Sequence, residues 1–148
     1  MKTIARIVLA ALALGAPLVP AIAAEKKQAG PHGGRLIAGL EPRAEFFVTA
    51  DKKIQISFVA ADGKTVVAPT KQVVTVTMGD RAKPTRLEFA RSGDALLSTA
   101  AIPAGKDLAT VVQIKPSADA KIVTDRFNLD LSKCPDCKLH EYACTCAH

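Results

Sequence analysis

Short runs of strictly alternating apolar and polar residues fill the chain between positions 35 and 130, and this period constrains its fold more than any other feature. Ile54, Ile56 and Phe58 alternate with Lys53, Gln55 and Ser57. A period of two sends one set to a buried face and the other outward, which is the pattern of a half-buried strand. Val74, Val76 and Met78 alternate with Val73, Thr75 and Thr77, and Leu87 and Phe89 with Arg86 and Glu88. Val112 and Ile114 flank Gln113, with Lys115 beyond. Val123, Phe127 and Leu129 share one face of a later strand, opposite Thr124, Arg126 and Asn128. Further strands are expected over 35–40 and 43–49, and short ones near 65–68 and 95–99. The Ala- and Leu-rich stretch 94–101 also fits a helical turn, too short to change the class.

Turn residues sit where strands must reverse. Asp62-Gly63 reads as a hairpin turn. Gly79-Asp80, Ser92-Gly93-Asp94, Pro103-Ala104-Gly105 and Pro116-Ser117 punctuate the rest. Roughly seven to nine short strands in about 100 residues predict an all-β fold. Each sheet would have one apolar face, so two must pack together. The expectation is an antiparallel β-sandwich, immunoglobulin-like or related, over 35–130, followed by an irregular Cys-rich tail over 131–148. Such a fold names no activity by itself.

The chain opens with Lys2 and Arg6, an apolar stretch from Ile7 to Val19, and small residues at Ala21-Ile22-Ala23. This is the layout of an export signal over 1–23, too short and too Pro-broken to be a membrane anchor. Export predicts a periplasmic or secreted protein of about 125 residues, enough for one core. Residues 24–34 read as a flexible Gly-rich lead-in. No later segment is long and apolar enough to cross a membrane, so no stable membrane insertion is expected after cleavage. Losing Lys2 and Arg6 lowers the formal charge from +6 to +4. The remaining Lys and Arg are scattered, and five Phe, one Tyr and no Trp leave few stacking platforms. Nucleic acid is therefore not an expected partner.

All four cysteines fall in the tail: Cys134 and Cys137 as CxxC, Cys144 and Cys146 as CxC. His140 and His148 lie among them. Each pair can bring two sulfurs to one centre, and the six residues between the pairs allow one to fold back on the other. Four thiolates could then surround Zn²⁺ or hold Cu⁺, with histidine replacing or shielding a sulfur. Such a site requires the sulfurs to converge to roughly 4 Å. An oxidising compartment favours disulfides instead. A Cys144–Cys146 bond would force a very tight ring, so cross-pairing between CxxC and CxC is the better arrangement. Thiol–disulfide exchange is a third reading, although the motif follows a β run and not a strand–helix junction.

His32 lies in Gly30-Pro31-His32-Gly33-Gly34-Arg35-Leu36, where glycines let the backbone approach a ligand and a neutral imidazole can bind a metal. It is a candidate metal ligand beside Cys134, Cys137, His140, Cys144, Cys146 and His148. With Ala44-Glu45-Phe46-Phe47-Val48 after it, this segment resembles the N-terminal regions of periplasmic heavy-metal efflux adaptor proteins and small exported proteins of similar layout. The resemblance spans residues 30–60 and implies an exported, metal-responsive β module. His32 and Glu45 match its polar landmarks, while Ala44 stands where a second histidine is common. The chain is too short for the helical hairpin and barrel domains of an adaptor.

These features predict a non-enzymatic periplasmic protein that binds or buffers copper or zinc through its C-terminal Cys/His cluster. Envelope proteins or metal-efflux components are the expected partners. No triad, paired carboxylate or phosphate loop stands out. The alternatives are a structural or protein-interaction module with a disulfide-stapled tail, and a thiol–disulfide exchange protein.

Overall fold

The computed structural model describes residues 28–146. The export signal read over 1–23 and His148 lie outside the described residues. Ten strands within them form two antiparallel sheets: β1 (Arg35–Ile37), β2 (Arg43–Val48), β3 (Ile54–Val59), β4 (Val66–Val67), β5 (Val73–Met78), β6 (Thr85–Leu87), β7 (Phe89–Ser92), β8 (Ala95–Ser98), β9 (Leu108–Lys115) and β10 (Val123–Leu129). The first sheet runs β1-β2-β3-β8-β7, and β4 shares one edge of β3 with β8. The second runs β10-β9-β5-β6. No helix among the described residues is long and apolar enough to cross a membrane.

Both sheets feed one core. Ala44, Phe46, Val48, Ile54, Ile56 and Phe58 come from the first, and Val74, Val76, Met78, Val112 and Ile114 from the second. These are the alternating positions of the sequence, buried because a pleated strand offers only one face to its partner sheet. The hairpin at Asp62-Gly63 forms as expected: Gly63 takes a left-handed φ of 71°. Asp62 accepts the N–H groups of Lys64 and Thr65 and the Thr65 hydroxyl. These bonds hold the Asp62 carboxyl down at about 2, the Thr65 hydroxyl contributing most.

One local expectation needs correction. Residues 86–89 read as one strand, but the chain changes sheets at Glu88. Thr85–Leu87 pairs with β5, and Phe89–Ser92 pairs with β8. The alternation survives the crossing, since Leu87 is buried and Phe89 packs against the same core. Of the two readings of residues 94–101, the short strand expected near 95–99 forms, as Ala95–Ser98, and the helical turn does not. The strand's register against Gln55–Ser57 is reinforced by Ser98, whose hydroxyl accepts the Ile54 N–H at 3.0 Å.

Asp125 has the same strand parity as Val123 and Phe127, a place where a carboxylate needs a partner. Arg35 supplies it from β1, with Nε 2.8 Å from Asp125 Oδ2. The guanidinium also lies 4.7 Å from the centre of the Phe127 ring. This contact ties an edge strand of one sheet to an edge strand of the other.

The tail is docked on this body by Tyr142, the chain's only tyrosine. Its ring is 3% exposed and packs edge-on to Phe46, with centroids 5.8 Å apart. Its phenol oxygen accepts the Val48 N–H at 3.2 Å. Burial pushes the phenol up from its usual range, so it stays neutral. Tyr142→Ala should destabilise the protein by about 3–5 kcal/mol, the cost of deleting a buried aromatic. Tyr142→Phe should cost about 1–2 kcal/mol, since Val48 N–H loses its acceptor. Urea denaturation of the two variants measures both, and equal losses would show that the hydroxyl contributes nothing.

Candidate metal centre

The cysteines are brought together by two closed loops. Lys133 and His140 form an antiparallel bridge, and the Cys134 N–H donates to Leu139 O at 2.8 Å. Between them Cys134-Pro135-Asp136-Cys137 reverses the chain. Pro135 presets φ for the turn. Lys138 closes it in the left-handed region, at φ 59°, and its N–H donates to Cys134 O at 3.0 Å. The returning segment enters a 3-10 helix, Glu141–Ala143. That helix buries Tyr142 and Ala143, and its end delivers Cys144 to the CxxC loop.

Four converging thiol sulfurs result. Cys144 Sγ lies 3.3 Å from Cys134 Sγ and 3.6 Å from Cys137 Sγ, and Cys134 and Cys146 are 4.0 Å apart. All four sulfurs lie within 4.8 Å of one another. A tetrahedron with metal–sulfur bonds of about 2.3 Å has sulfur–sulfur edges of about 3.8 Å. The widest separation therefore has to close by at most about 1 Å, which side-chain rotation at half-buried positions can supply. Cys134 is buried, while Cys137, Cys144 and Cys146 are half-buried. The cluster thus has one inner sulfur and three on the solvent side.

The thiols are not equivalent. The Leu139 N–H, and after it the Thr145 N–H, hold Cys137 down at about 6. Hydrogen bonding to Cys137, then burial, pushes Cys146 up to about 12. The Cys146 N–H favours a thiolate at Cys144, but burial and the bonds to Cys134 and Cys137 outweigh it and raise that thiol. Within the cluster the surroundings thus favour loss of a proton at Cys137 and oppose it at Cys144 and Cys146.

The histidines stand apart from the sulfurs. His140 turns Nδ1 to Leu131 O at 2.6 Å and stacks on Tyr142. His32 turns Nδ1 to Glu45 Oε2 at 2.7 Å. Neither belongs to the converging group of four. The structure does bring His32 near the tail: a Cβ at Gly33 would stand 3.3 Å from Leu139 Cδ2.

Glu45 explains the glycines. Its carboxylate is wholly buried and accepts the backbone N–H groups of His32 and Gly34 at 2.9 and 2.8 Å. A Cβ at Gly30 would lie 2.3 Å from Glu45 Cδ, and one at Gly34 would lie 2.4 Å from Phe46 O. Only a backbone without side chains can close over this carboxylate. The sequence reading missed the roles of Tyr142 and of the Leu131 carbonyl. A lone tyrosine inside a Cys/His-rich segment is the one signal that could have pointed to the first.

Protein-family models, curated proteins and solved structures, compared with this chain, give no match.

Coordination by all four sulfurs requires Cys144 and Cys146 to lose protons, and a falling pH opposes that loss. Apparent Zn²⁺ affinity should drop by about 100-fold or more per unit from pH 8 to pH 7. Below about 6 it should steepen as Cys137 also takes up a proton. Competition with a chromophoric chelator across this range measures the slope, and a pH-independent affinity would exclude these thiols as ligands.

Proposed function

We propose that this chain is a periplasmic metal-binding protein, not an enzyme, that buffers and hands over a soft or borderline ion, copper or zinc. The carrying observation is the convergence of Cys134, Cys137, Cys144 and Cys146 within 4.8 Å, at spacings close to a tetrahedral sulfur set. The export signal read over 1–23 supports the compartment. Two antiparallel sheets around one core support a β-sandwich, immunoglobulin-like or related, as the rigid base. Three half-buried sulfurs leave a side from which an acceptor's thiolates could replace these ligands one at a time. Envelope proteins or metal-efflux components are the partners this role calls for.

A second reading draws on the same contacts. Pairing Cys134 with Cys146 and Cys137 with Cys144 joins CxxC to CxC, as the sequence favours, at starting separations of 4.0 and 3.6 Å. In that state the tail is a disulfide-stapled part of an interaction module.

Free-thiol counting and elemental analysis of one purified sample separate the two. The metal reading expects four reactive thiols in the reduced, metal-free protein and, after loading, one ion per chain held by those thiols. Changing Cys144 and Cys146 to Ser should weaken binding by more than about 100-fold, beyond what losing a ligand's supporting hydrogen bond costs. Thiols that appear only on reduction, with no ion retained or rebound afterwards, would establish the stapled module instead.

A further inference from the structure

The sequence places His32 and His140 in one ligand set with the cysteines. The structure separates them from the sulfurs and sets them on a common cavity of about 450 Å³. Phe47, Leu131, Leu139, Lys52 and Lys133 also line it.

The two imidazoles are held in the same way although they come from opposite ends of the domain. Each gives Nδ1 to an oxygen: His32 to buried Glu45 at 2.7 Å, His140 to Leu131 O at 2.6 Å. A carbonyl and an ionised carboxylate only accept, so the ring proton of each neutral imidazole belongs on Nδ1. Each ring also rests on an aromatic neighbour, His32 on Phe47 at 5.8 Å and His140 on Tyr142 at 5.9 Å. Neither Nε2 has a hydrogen-bond partner among the described residues.

Fixing Nδ1 with an oxygen acceptor while leaving the Nε2 lone pair open is how metal-ligating histidines are oriented and made more basic. The carboxylate–imidazole pair adds a second element. Glu45 is a buried anion, and a cation on His32 Nε2 would offset it through the ring. Lys52 and Lys133 are exposed, so their long stems can carry the ammonium groups into solvent.

We propose that His32 and His140 form a second, imidazole-based site for a borderline divalent ion such as Zn²⁺ or Cu²⁺, separate from the sulfur cluster. The two Nε2 atoms are its protein ligands, and water fills the remaining positions. With only two protein ligands the site is open and exchangeable. Glu45 acts as a positioning residue, holding the His32 ring and its tautomer. The inference does not rest on the sulfur reading, because its donors are not shared with the cysteines.

The test is nitrogen-detected NMR of the imidazoles in the reduced full chain, titrated with Zn²⁺. The Nε2 resonances of His32 and His140 should move together and saturate with one equivalent. That equivalent is the second if the sulfurs fill first. In the Cys144→Ser, Cys146→Ser protein the same response should persist at an earlier equivalent, so failure of the sulfur site and failure of this one are distinguishable. His32→Gln should abolish the response at His140, and His140→Gln that at His32. Glu45→Gln should weaken binding by about 10- to 100-fold. The wild-type titration needs no variant to fold. No shift, a shift at one imidazole only, or a response confined to His148 would overturn the proposal. So would a joint response to inorganic phosphate in place of Zn²⁺, which would mark an anion pocket served by Lys52 and Lys133.

Discussion

The insertion of Tyr142 into the core is the contact on which the arrangement of the tail depends. It reaches Phe46 on β2, stacks with Phe127 on β10, and takes the Val48 N–H on its oxygen. One side chain thereby engages both sheets. Because it sits two residues before Cys144, its placement also fixes where the second cysteine pair begins. The first pair is fixed from the other side, by the Lys133–His140 bridge and the Cys134–Leu139 hydrogen bond. The sulfurs converge because both loops are anchored independently of any sulfur contact.

Glu45 does similar work at the other end of the chain. A buried carboxylate is costly unless its oxygens are occupied. Here the turn ahead of β1 supplies two backbone N–H groups and an imidazole. The same turn explains why Gly-Pro-His-Gly-Gly is written as it is. Gly30 and Gly34 clear space for the carboxylate, and Gly33 takes a left-handed φ of 80° beside Leu139. Docking of this turn brings the N-terminal histidine against the C-terminal loop. Two segments far apart in sequence thus meet at the β2–β3 end of the domain.

Much of the sheet architecture was legible because a two-residue period admits few interpretations. Val74, Val76 and Met78 occupy the buried face that their alternation predicted. The sheet change at Glu88 was not legible, since a strand that crosses between sheets keeps its inward residues inward and its alternation intact. The Arg35–Asp125 pair was hidden for a related reason: it joins edge strands 90 residues apart, and no local pattern reports such a pairing. In the tail, spacing named the four cysteines correctly as a converging set. Spacing could not assign the histidines. Their place is decided by Nδ1 partners, a carboxylate on β2 and a carbonyl at residue 131, which no ligand-spacing rule includes.

The oxidising compartment that the proposed export implies raises a conflict that the geometry helps to define. Four thiolates this close repel one another, and three chemical events can relieve the repulsion: protonation, metal coordination or sulfur–sulfur bonding. The thiols already show the first, with Cys137 low and Cys146 high within one cluster. Oxidation and metal coordination both begin from this same placement, because Cys144 lies close to both members of CxxC. Neither needs the loops to refold, since Tyr142 and the Lys133–His140 bridge hold them in place. The backbone therefore lowers the ordering cost of both outcomes alike. What selects between them is the supply of ion and oxidant around the protein, acting on a sulfur set whose geometry the rest of the fold has already provided.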